Sequence, residues 1–322
     1  MKYKSCVWLE RGITFSKDAV KACCVSLPRR MGNPDILTDY KGELIDWERF
    51  FKLKNRIKEL HKQGGTFYKC EGCVFLQEKE WPEFGDHIDT INIDHWSKCN
   101  SRCIYCYTME DKEFYNGEKI YDIFPVIKDM LDKGIFTRLD HVNFGGGEVT
   151  LLKEFDELLN LFLPYCDNSA PILIHSSGVQ YSKSIEKGLN AGSLKIIISP
   201  DCATEKIHKR IKQVETYNHV WKNLEKYASA QVRNDLVKAK YIILPGINDN
   251  KKEIEKFMNK NKQIGVKAII IEIEGIWFSY NFMHVPKFMY ELIDFAREKA
   301  QENGLNFELY DRARSIMQNR NK

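Results

Sequence analysis

Three cysteines at positions 99, 103 and 106 form the largest close-spaced group of metal-binding side chains in this sequence. They stand in the run Cys99-Asn-Ser-Arg-Cys103-Ile-Tyr-Cys106, directly after a strand-like segment. Such short spacings allow the thiolates of one loop to converge on an iron–sulfur cluster. Three thiolates leave one iron of a [4Fe–4S] cube without a protein ligand, so that iron can bind a small chelating molecule. A zinc ribbon would more naturally offer a second pair of ligands nearby.

Five more cysteines lie in the first 85 residues, namely Cys6, Cys23, Cys24, Cys70 and Cys73. A disulfide scaffold suits small secreted domains, whereas this chain has 322 residues and no apolar segment at its start. Close-spaced thiolates in a reducing compartment more often hold a metal. The isolated Cys166 and Cys202 are interpreted as buried apolar cysteines.

Glycine or polar motifs follow three further strand-like segments. These motifs are Gly145-Gly146-Gly147-Glu148, Ser176-Ser177-Gly178 and Ser199-Pro200-Asp201. Glycine lets a ligand approach the backbone closely, because a Cβ would obstruct it. Loops that follow barrel strands are also where such folds place their chemistry.

The elements that would position these motifs alternate between strand and helix from residue 86 onward, which is typical of a parallel α/β fold. The predicted strands are Ile88–Asp94, Leu139–Phe144, Pro171–His175, Leu194–Ser199, Val237–Leu244, Lys267–Ile273 and a short Asn306–Tyr310. Helical periodicity marks residues 123–131, 155–162, 254–264 and 289–296. Six βα units predict a partial (β/α)6 barrel, since eight would need a longer chain.

The domain organisation follows from this alternation. Residues 1–85 are poor in strand-like runs, carry five cysteines and contain one good helix at 45–61, so they are predicted to form a separate cysteine-rich module. Residues 86–313 are predicted to form the barrel, and residues 314–322 a C-terminal tail.

Polar side chains alternate along one face of the predicted strands, which in a barrel would point inward. They are Asn92, Asp94, His141, Asn143, His175, Ser177, Ser199, Asp201, Lys238, Lys240, Glu272 and Glu274. We expect Lys238 and Lys240 to lie beside Glu272 and Glu274 on the neighbouring strand. A convergent set of this kind favours a polar substrate over a lipid.

These motifs, in this order, resemble the radical S-adenosylmethionine (SAM) superfamily over residues 86–312. Tyr105 fills the aromatic position of the family's three-cysteine signature. The resemblance implies that Gly146, Gly147 and Glu148 contact the amino group of SAM. It also implies that Ser177, Ser199 and Asp201 line the SAM site, with Asp201 near the ribose.

The implied reaction is reductive cleavage of SAM by the cluster, and the 5′-deoxyadenosyl radical then abstracts hydrogen from the substrate. A flavodoxin or ferredoxin-type protein would supply the electron. Lys240, Glu272 and Glu274 are the candidate residues that act on the substrate. Peptide side chains and carbohydrate-like small molecules both remain open as substrates. The alternative function is a non-catalytic iron–sulfur or zinc protein for electron transfer or structure.

Cys6, the following Gly12-Ile-Thr-Phe segment and the later cysteines resemble the SPASM/twitch auxiliary-cluster modules of this superfamily. Such modules usually follow the barrel, whereas this one precedes it. The resemblance implies a second [4Fe–4S] cluster on Cys6, Cys24, Cys70 and Cys73, with Cys23 as a neighbour or substitute. A structural zinc on the same thiolates is the other interpretation.

Composition narrows the remaining classes. Hydrophobic residues make up 43% of the chain, enough for a substantial core, and 49 basic residues are mixed with 45 acidic ones. This balance argues against nucleic-acid or membrane binding. The longest apolar stretch, Ala268–Phe278, is too short to span a bilayer. A cytoplasmic location is therefore expected.

Overall fold

The computed structural model describes residues 2–16, 20–21, 44–67, 70–71, 73, 75–106, 122–166, 168–169, 171–281 and 284–320. The predicted ligand Cys24 and its neighbour Cys23 lie outside these residues. The chain divides into two compact units. The first comprises Met1–Ser97, Gly117–Gly147 and Glu154–Ile172, and the second comprises Lys98–Asn116, Glu148–Lys153 and Leu173–Lys322.

The first unit contains two groups of paired strands. Its elements are β1 (Lys2–Ser5), α1 (Val7–Arg11), β2 (Gly12–Ser16), β3 (Val20–Lys21), α2 (Trp47–Lys62), β4 (Gln77–Glu80), β5 (Thr90–Asp94), α3 (Phe124–Asp132), β6 (His141–Phe144) and α4 (Phe155–Phe162). β1 pairs antiparallel with β4. The other strands lie in the order β3, β2, β5, β6, and the β2–β5 and β5–β6 pairs are parallel.

The strand β2 shows that residues 1–85 are not poor in strands and that part of them belongs to the parallel sheet. Ile13 pairs with Ile91 and Phe15 with Ile93, and all four side chains are buried. The helix α2 fixes the entry into this strand, since buried Lys54 donates hydrogen bonds to the carbonyls of Trp8 (3.2 Å) and Gly12 (2.8 Å). The boundary at residue 85 stays a prediction.

The second unit repeats strand and helix. Its elements are β7 (Ile172–Ser176, from Leu173 onward), α5 (Lys183–Ala191), β8 (Leu194–Ile198), α6 (Glu205–Lys212), α7 (Tyr217–Ala230), β9 (Val237–Ile243), α8 (Lys251–Gln263), β10 (Ala268–Ile273), α9 (Gly275–Asn281), α10 (Lys287–Glu302), β11 (Asn306–Leu309) and α11 (Asp311–Gln318). The strands lie in the order β7 to β11, and the β8–β9, β9–β10 and β10–β11 pairs are parallel.

Local sequence signals begin and end these helices. Ser182 caps α5 by accepting the amide hydrogen of Ile185, and Asn250 caps α8 by accepting that of Glu253. Gly192 ends α5 with a φ of 75°, a conformation that favours glycine. The expected α/β class is confirmed, and the predicted strands match the observed ones to within two residues at either end. The predicted tail is helical for most of its length, because α11 continues to Gln318.

Candidate active site

The loop of residues 99–106, here called the cluster loop, carries the three predicted cluster ligands in the second unit. Cys99, Cys103 and Cys106 are all partly exposed, and none is in a disulfide. The Cys99 Sγ accepts the amide hydrogen of Ser101 at 3.4 Å, and the Cys106 amide donates to the carbonyl of Cys103 at 3.0 Å. These hydrogen bonds give the loop a defined turn structure.

The backbone of the cluster loop is hydrogen-bonded to the end of helix α6. The Arg102 amide donates to the carbonyl of Lys212 at 2.9 Å, and the Ile104 amide donates to that of Ile211 at 3.0 Å. These bonds satisfy carbonyls that a helix otherwise leaves without a partner in its last turn. These two hydrogen bonds thus fix the backbone of the segment that contains Cys103 against helix α6.

A buried side-chain cluster of Tyr105, Asp201 and Lys212, here called the loop anchor, holds the same segment. The Tyr105 hydroxyl donates to Asp201 Oδ2 at 2.5 Å, and Lys212 Nζ donates to the Tyr105 hydroxyl at 2.8 Å and to the same carboxylate oxygen. Asp201 is 0% exposed and Lys212 is 3% exposed. Removal of either charge would leave the other buried without its partner, which costs several kcal/mol.

Asp201 is held from its other side by strand β9 and the turn after it. Its Oδ1 accepts the Ile242 amide hydrogen at 2.9 Å, and its carbonyl accepts a hydrogen bond from Asn248 Nδ2 at 2.7 Å. Its φ is 58°, unusual for a residue other than glycine. Because both carboxylate oxygens are already bonded inside the protein, this geometry favours a positioning role. The predicted contact with the ribose stays a prediction.

Burial and the charges of the loop anchor shift the pKa values of the side chains in and beside the cluster loop. Burial raises the pKa of the Cys99 thiol to about 12 and also raises the pKa of Cys103, where the Lys212 ammonium acts in the opposite direction. Burial lowers the pKa of Lys212, but the carboxylate of Asp201 outweighs it and raises that pKa overall. Lys212 is therefore a permanent positive charge beside Cys103.

On the other side of the cluster loop, Glu148 accepts hydrogen bonds from several neighbouring residues. It is 1% exposed, and its carboxylate accepts hydrogen bonds from the Ser176 hydroxyl (2.8 Å), the Ser177 amide (2.6 Å) and the Thr150 hydroxyl (2.7 Å). The Ser177 hydroxyl donates to Asn100 Oδ1 at 2.8 Å. The Glu148 carboxylate thus orders the end of β7, and β7 in turn holds the cluster loop. The contact of Glu148 with SAM stays a prediction.

The glycine motif follows β6 in the first unit. Gly146 has a φ of +80°, and a Cβ there would lie 2.4 Å from the Trp96 carbonyl oxygen. A Cβ on Gly145 would lie 2.9 Å from Asp94 Oδ1. The adjacent Gly147 donates its amide hydrogen to the Trp96 carbonyl at 2.7 Å. Gly146 is therefore required by close packing of the protein itself, whereas sequence reasoning attributed this glycine to a ligand alone.

The predicted substrate residues lie in the second unit, but not as the expected pairs. Lys238 forms its ion pair with Glu308 at 2.5 Å instead of Glu272 or Glu274. Glu274 begins helix α9, where its Oε2 accepts the Trp277 amide hydrogen at 2.6 Å. The expectation is therefore wrong for Lys238, whereas Lys240 lies near enough to Glu272 for that carboxylate to act on its pKa. Glu308 was missed because it lies on β11, which was taken only as an edge strand.

Glu272 is buried and bonded, and Lys240 is half-buried. Glu272 Oε1 accepts amide hydrogens from Ile273 at 2.8 Å and Ala313 at 3.1 Å. Lys240 Nζ lies 5.6 Å from the centre of the Tyr310 ring. Catalytic roles for Lys240, Glu272 and Glu274 stay predictions.

The described N-terminal cysteines lie near the β1–β4 pair of the first unit. Because Ser5 pairs with Gln77, Cys6 at the end of β1 lies close in register to the segment that follows Cys73. Cys6 is buried and begins α1, where its Sγ accepts the Leu9 amide hydrogen at 3.4 Å. The Cys73 amide donates to the carbonyl of Cys70 at 3.1 Å. The second cluster remains a prediction.

The cluster loop fits a [4Fe–4S] cluster by its donor chemistry. Residues 99–106 present three thiols and no competing carboxylate. Across the described ranges, no group of three or more His, Cys, Asp or Glu side chains is close enough to hold a single metal ion. A cube takes one thiolate for each ligated iron, so its ligands need not meet at one point.

Lys212 and Asn100 are the site residues that sequence reasoning missed. Lys212 was missed because it lies in a strongly charged helical segment, which is typical of a solvent-exposed helix face. The one signal of its burial in the sequence is that Ile211 and Lys212 lie beside the apolar face of helix α6. Asn100 lies inside the cysteine motif, where only the cysteines and Tyr105 carry a chemical expectation.

An α/β fold with parallel strands and a three-cysteine loop after one of them defines a class, that of α/β proteins whose loop cysteines can hold an iron–sulfur cluster. Solved structures support the fold. Streptococcus suis SuiB bound to precursor peptide SuiA matches with a TM-score of 0.52 at 13% identity, covering 83% of this chain and 66% of that one. anSMEcpe with bound AdoMet matches with a TM-score of 0.51 at 17% identity, covering 69% and 63%.

The family model of the radical SAM superfamily matches residues 93–259, more than half of the chain. The chain belongs to the radical SAM superfamily.

Curated relatives are named GTP 3′,8-cyclase. That of Clostridium botulinum (strain Hall) is 29% identical over 195 residues, which is 60% of this chain and 58% of the relative. That of Nautilia profundicola is 24% identical over 225 residues, 64% of this chain and 68% of the relative. The chain thus spans little more than half the length of the first of these relatives. Their name introduces GTP, a substrate that the sequence did not suggest.

The helices also bear on membrane association. None of those in the described residues combines the length and the apolar character needed to cross a membrane.

Proposed function

We propose that this enzyme reductively cleaves SAM and uses the resulting 5′-deoxyadenosyl radical to abstract hydrogen from a polar substrate. The observation that carries the proposal is the cluster loop, whose cysteines are held between Ser177 on one flank and the loop anchor on the other. A bound [4Fe–4S] cluster would supply the electron and the open iron for SAM. A small ferredoxin or flavodoxin-type protein would reduce it.

The chain's own residues would orient these groups. Asp201 and Lys212 fix Tyr105 and thereby the segment that carries Cys103 and Cys106. Glu148 and Ser177 fix the segment that carries Cys99. Because the carboxylates of Glu148 and Asp201 already accept several hydrogen bonds inside the protein, we assign them to positioning the cluster loop and assign contact with SAM in the second unit to Ser199.

Cleavage of SAM tests the proposal. Anaerobically reconstituted protein with dithionite should form 5′-deoxyadenosine and methionine, and the Cys99/Cys103/Cys106 triple alanine variant should form neither. Cys166→Ala is the matched control, since it removes a partly exposed cysteine outside the loop. Equal cleavage by the triple variant would refute the proposal. Metal binding without any cleavage would favour the electron-transfer alternative.

The substrate class remains part of the proposal. Peptides, carbohydrate-like molecules and GTP all carry polar groups that suit Lys240 and the other polar side chains. Transfer of deuterium from ribose-deuterated GTP into 5′-deoxyadenosine would favour a nucleotide. Absence of transfer from GTP, with transfer from deuterated peptides or sugars, would favour those classes instead.

We also propose a second [4Fe–4S] cluster on Cys6, Cys24, Cys70 and Cys73, in a module of residues 1–85 that precedes the barrel of residues 86–313. The β1–β4 register supports it, because it brings the end of β1 near the segment that follows Cys73. The cytoplasm is the compartment that suits unprotected thiolates and oxygen-sensitive clusters.

A further inference from the structure

One face of β9, β10 and β11 in the second unit carries an excess of positive charge. Lys238 and Lys240 lie on the same face of β9, since they are two residues apart. Lys238 Nζ bonds both carboxylate oxygens of Glu308, at 2.5 and 2.6 Å, so its charge is neutralised. Lys240 lies one step further along the strand, opposite Ile270.

The ammonium of Lys240 makes no hydrogen bond or ion pair with any described residue, although the backbone carbonyl of Lys240 accepts the Asp201 amide hydrogen at 3.4 Å. Its Nζ lies 5.6 Å from the centre of the Tyr310 ring, a cation–π contact that leaves its hydrogen-bond donors available. Two carboxylates, those of Asp201 and Glu272, are near enough to influence its charge.

Both of these carboxylates are already occupied. Asp201 is bonded to Lys212, Tyr105 and the Ile242 amide. Glu272 Oε1 accepts two amide hydrogens, and its Oε2 lies 3.9 Å from the Arg312 guanidinium. Both carboxylates are therefore held by other donors, and neither forms a direct ion pair with the ammonium of Lys240.

The charges in this group do not balance. Lys238, Lys240, Lys212 and Arg312 contribute four positive charges, and Asp201, Glu272 and Glu308 contribute three negative ones. Burial lowers the pKa of Lys240, and the nearby Lys212 and Arg312 lower it further against the opposing carboxylates. A half-buried cation that is not neutralised by the protein is costly unless an anion binds to it.

The side chains around Lys240 suit such an anion. The Tyr310 ring contacts both Lys240 and His175, and the centres of the Tyr310 and His175 rings are 6.5 Å apart in an edge contact. The guanidinium of Arg312 is partly exposed, with 44% of its side chain accessible. Ammonium, guanidinium and phenol groups are donors that phosphate and carboxylate oxygens accept.

We propose that Lys240, supported by Tyr310 and Arg312, binds an anionic group of the substrate, a phosphate or a carboxylate. This inference rests on the proposed function only in that the anion belongs to the molecule from which hydrogen is taken. It assigns Lys240 to binding and not to proton transfer.

Calorimetry on the reconstituted enzyme tests this subsite with pyrophosphate as the phosphate probe and glutarate as the carboxylate probe. At least one probe should bind, and Lys240→Met should weaken it about tenfold to a hundredfold, the effect of losing one charged hydrogen bond. Lys240→Arg should retain most of the affinity. Lys267→Met, which removes an exposed lysine next to β10, is the matched control and should bind within about twofold of the parent.

The outcomes separate this inference from the proposed function. Cleavage of SAM without substrate is measured on the parent and on Lys267→Met and should be equal in the two, so that this reaction reports on the proposed function alone. Failure of both probes to bind the parent, or equal binding by Lys240→Met, overturns the subsite even if SAM is cleaved. Loss of SAM affinity in Lys240→Met would show that the anion is the carboxylate of SAM.

Discussion

Gly146 offers a test of why the glycine motif is needed. A Cβ there would meet the Trp96 carbonyl at 2.4 Å, and its φ of +80° is unfavourable for alanine. Gly146→Ala should therefore reduce the free energy of unfolding by about 2–4 kcal/mol in urea denaturation. Gly134→Ala is the control, because Gly134 has a φ of +63° but nothing within 4 Å of its Cβ position, so about 1 kcal/mol is expected. Equal losses would mean that the close contact with Trp96 is relieved.

The loop anchor can be tested by a double-mutant cycle. Asp201→Asn should cost about 3–5 kcal/mol of unfolding free energy, because Lys212 is left buried without an anionic partner. Lys212→Met in the Asp201→Asn background should restore part of that loss, giving a coupling energy of at least about 1 kcal/mol. Additive effects would show that the two residues do not act together. Iron content after reconstitution should fall in Asp201→Asn, which reports on the cluster loop separately.

Helix α6, which carries Lys212 of the loop anchor, also carries His208, whose protonation makes the stability of the fold depend on pH. His208, 1% exposed, has a pKa that burial lowers to about 4, with the Lys212 charge adding to the effect. Below pH 6.5 His208 becomes protonated in the unfolded chain, whereas in the folded chain it stays neutral until the pH falls to about 4. Stability contributed by neutral His208 is thus complete above pH 6.5 and is lost as pH falls towards 4, by about 3 kcal/mol.

His208→Gln removes this titration while keeping a side chain that can reach Thr216, which His208 contacts at 3.2 Å. Urea unfolding at pH 7 and pH 4.5 should show a smaller difference for the variant than for the parent. If both lose the same free energy, the histidine is already protonated in the folded chain.

The elements could be predicted from sequence wherever hydrophobic periodicity was strong. The strands β5 to β11 follow buried apolar runs, and the cysteine spacing alone located the cluster loop. The strand β2 was missed because it lies in the cysteine-rich part of the chain and its partner β5 is far away in sequence. The pairing of Lys238 was wrong because β10 places Ala268 opposite it, which leaves Glu308 on the next strand within reach. Such register is a property of the folded sheet.

The whole chain should contain two clusters if the second one exists. The parent would then hold about eight irons and the Cys99/Cys103/Cys106 triple alanine variant about four. Metal analysis and absorbance after anaerobic reconstitution measure this. Cys70→Ala/Cys73→Ala in the triple-variant background should remove the remaining iron, whereas Cys166→Ala should not. One zinc, or no metal, in the triple variant would rule out the second cluster.

The parallel pair of β2 and β5 limits how the chain can be shortened. Without residues 2–16, the backbone of Thr90–Asp94 would present an unprotected sheet edge flanked by the buried Ile91 and Ile93. Bare edges of this kind recruit other chains and promote aggregation. A fragment that begins at residue 86 should therefore precipitate or self-associate on expression, even though it retains every ligand of the cluster loop. By pairing with this edge, the N-terminal segment prevents self-association of the chain, irrespective of any metal that the segment binds.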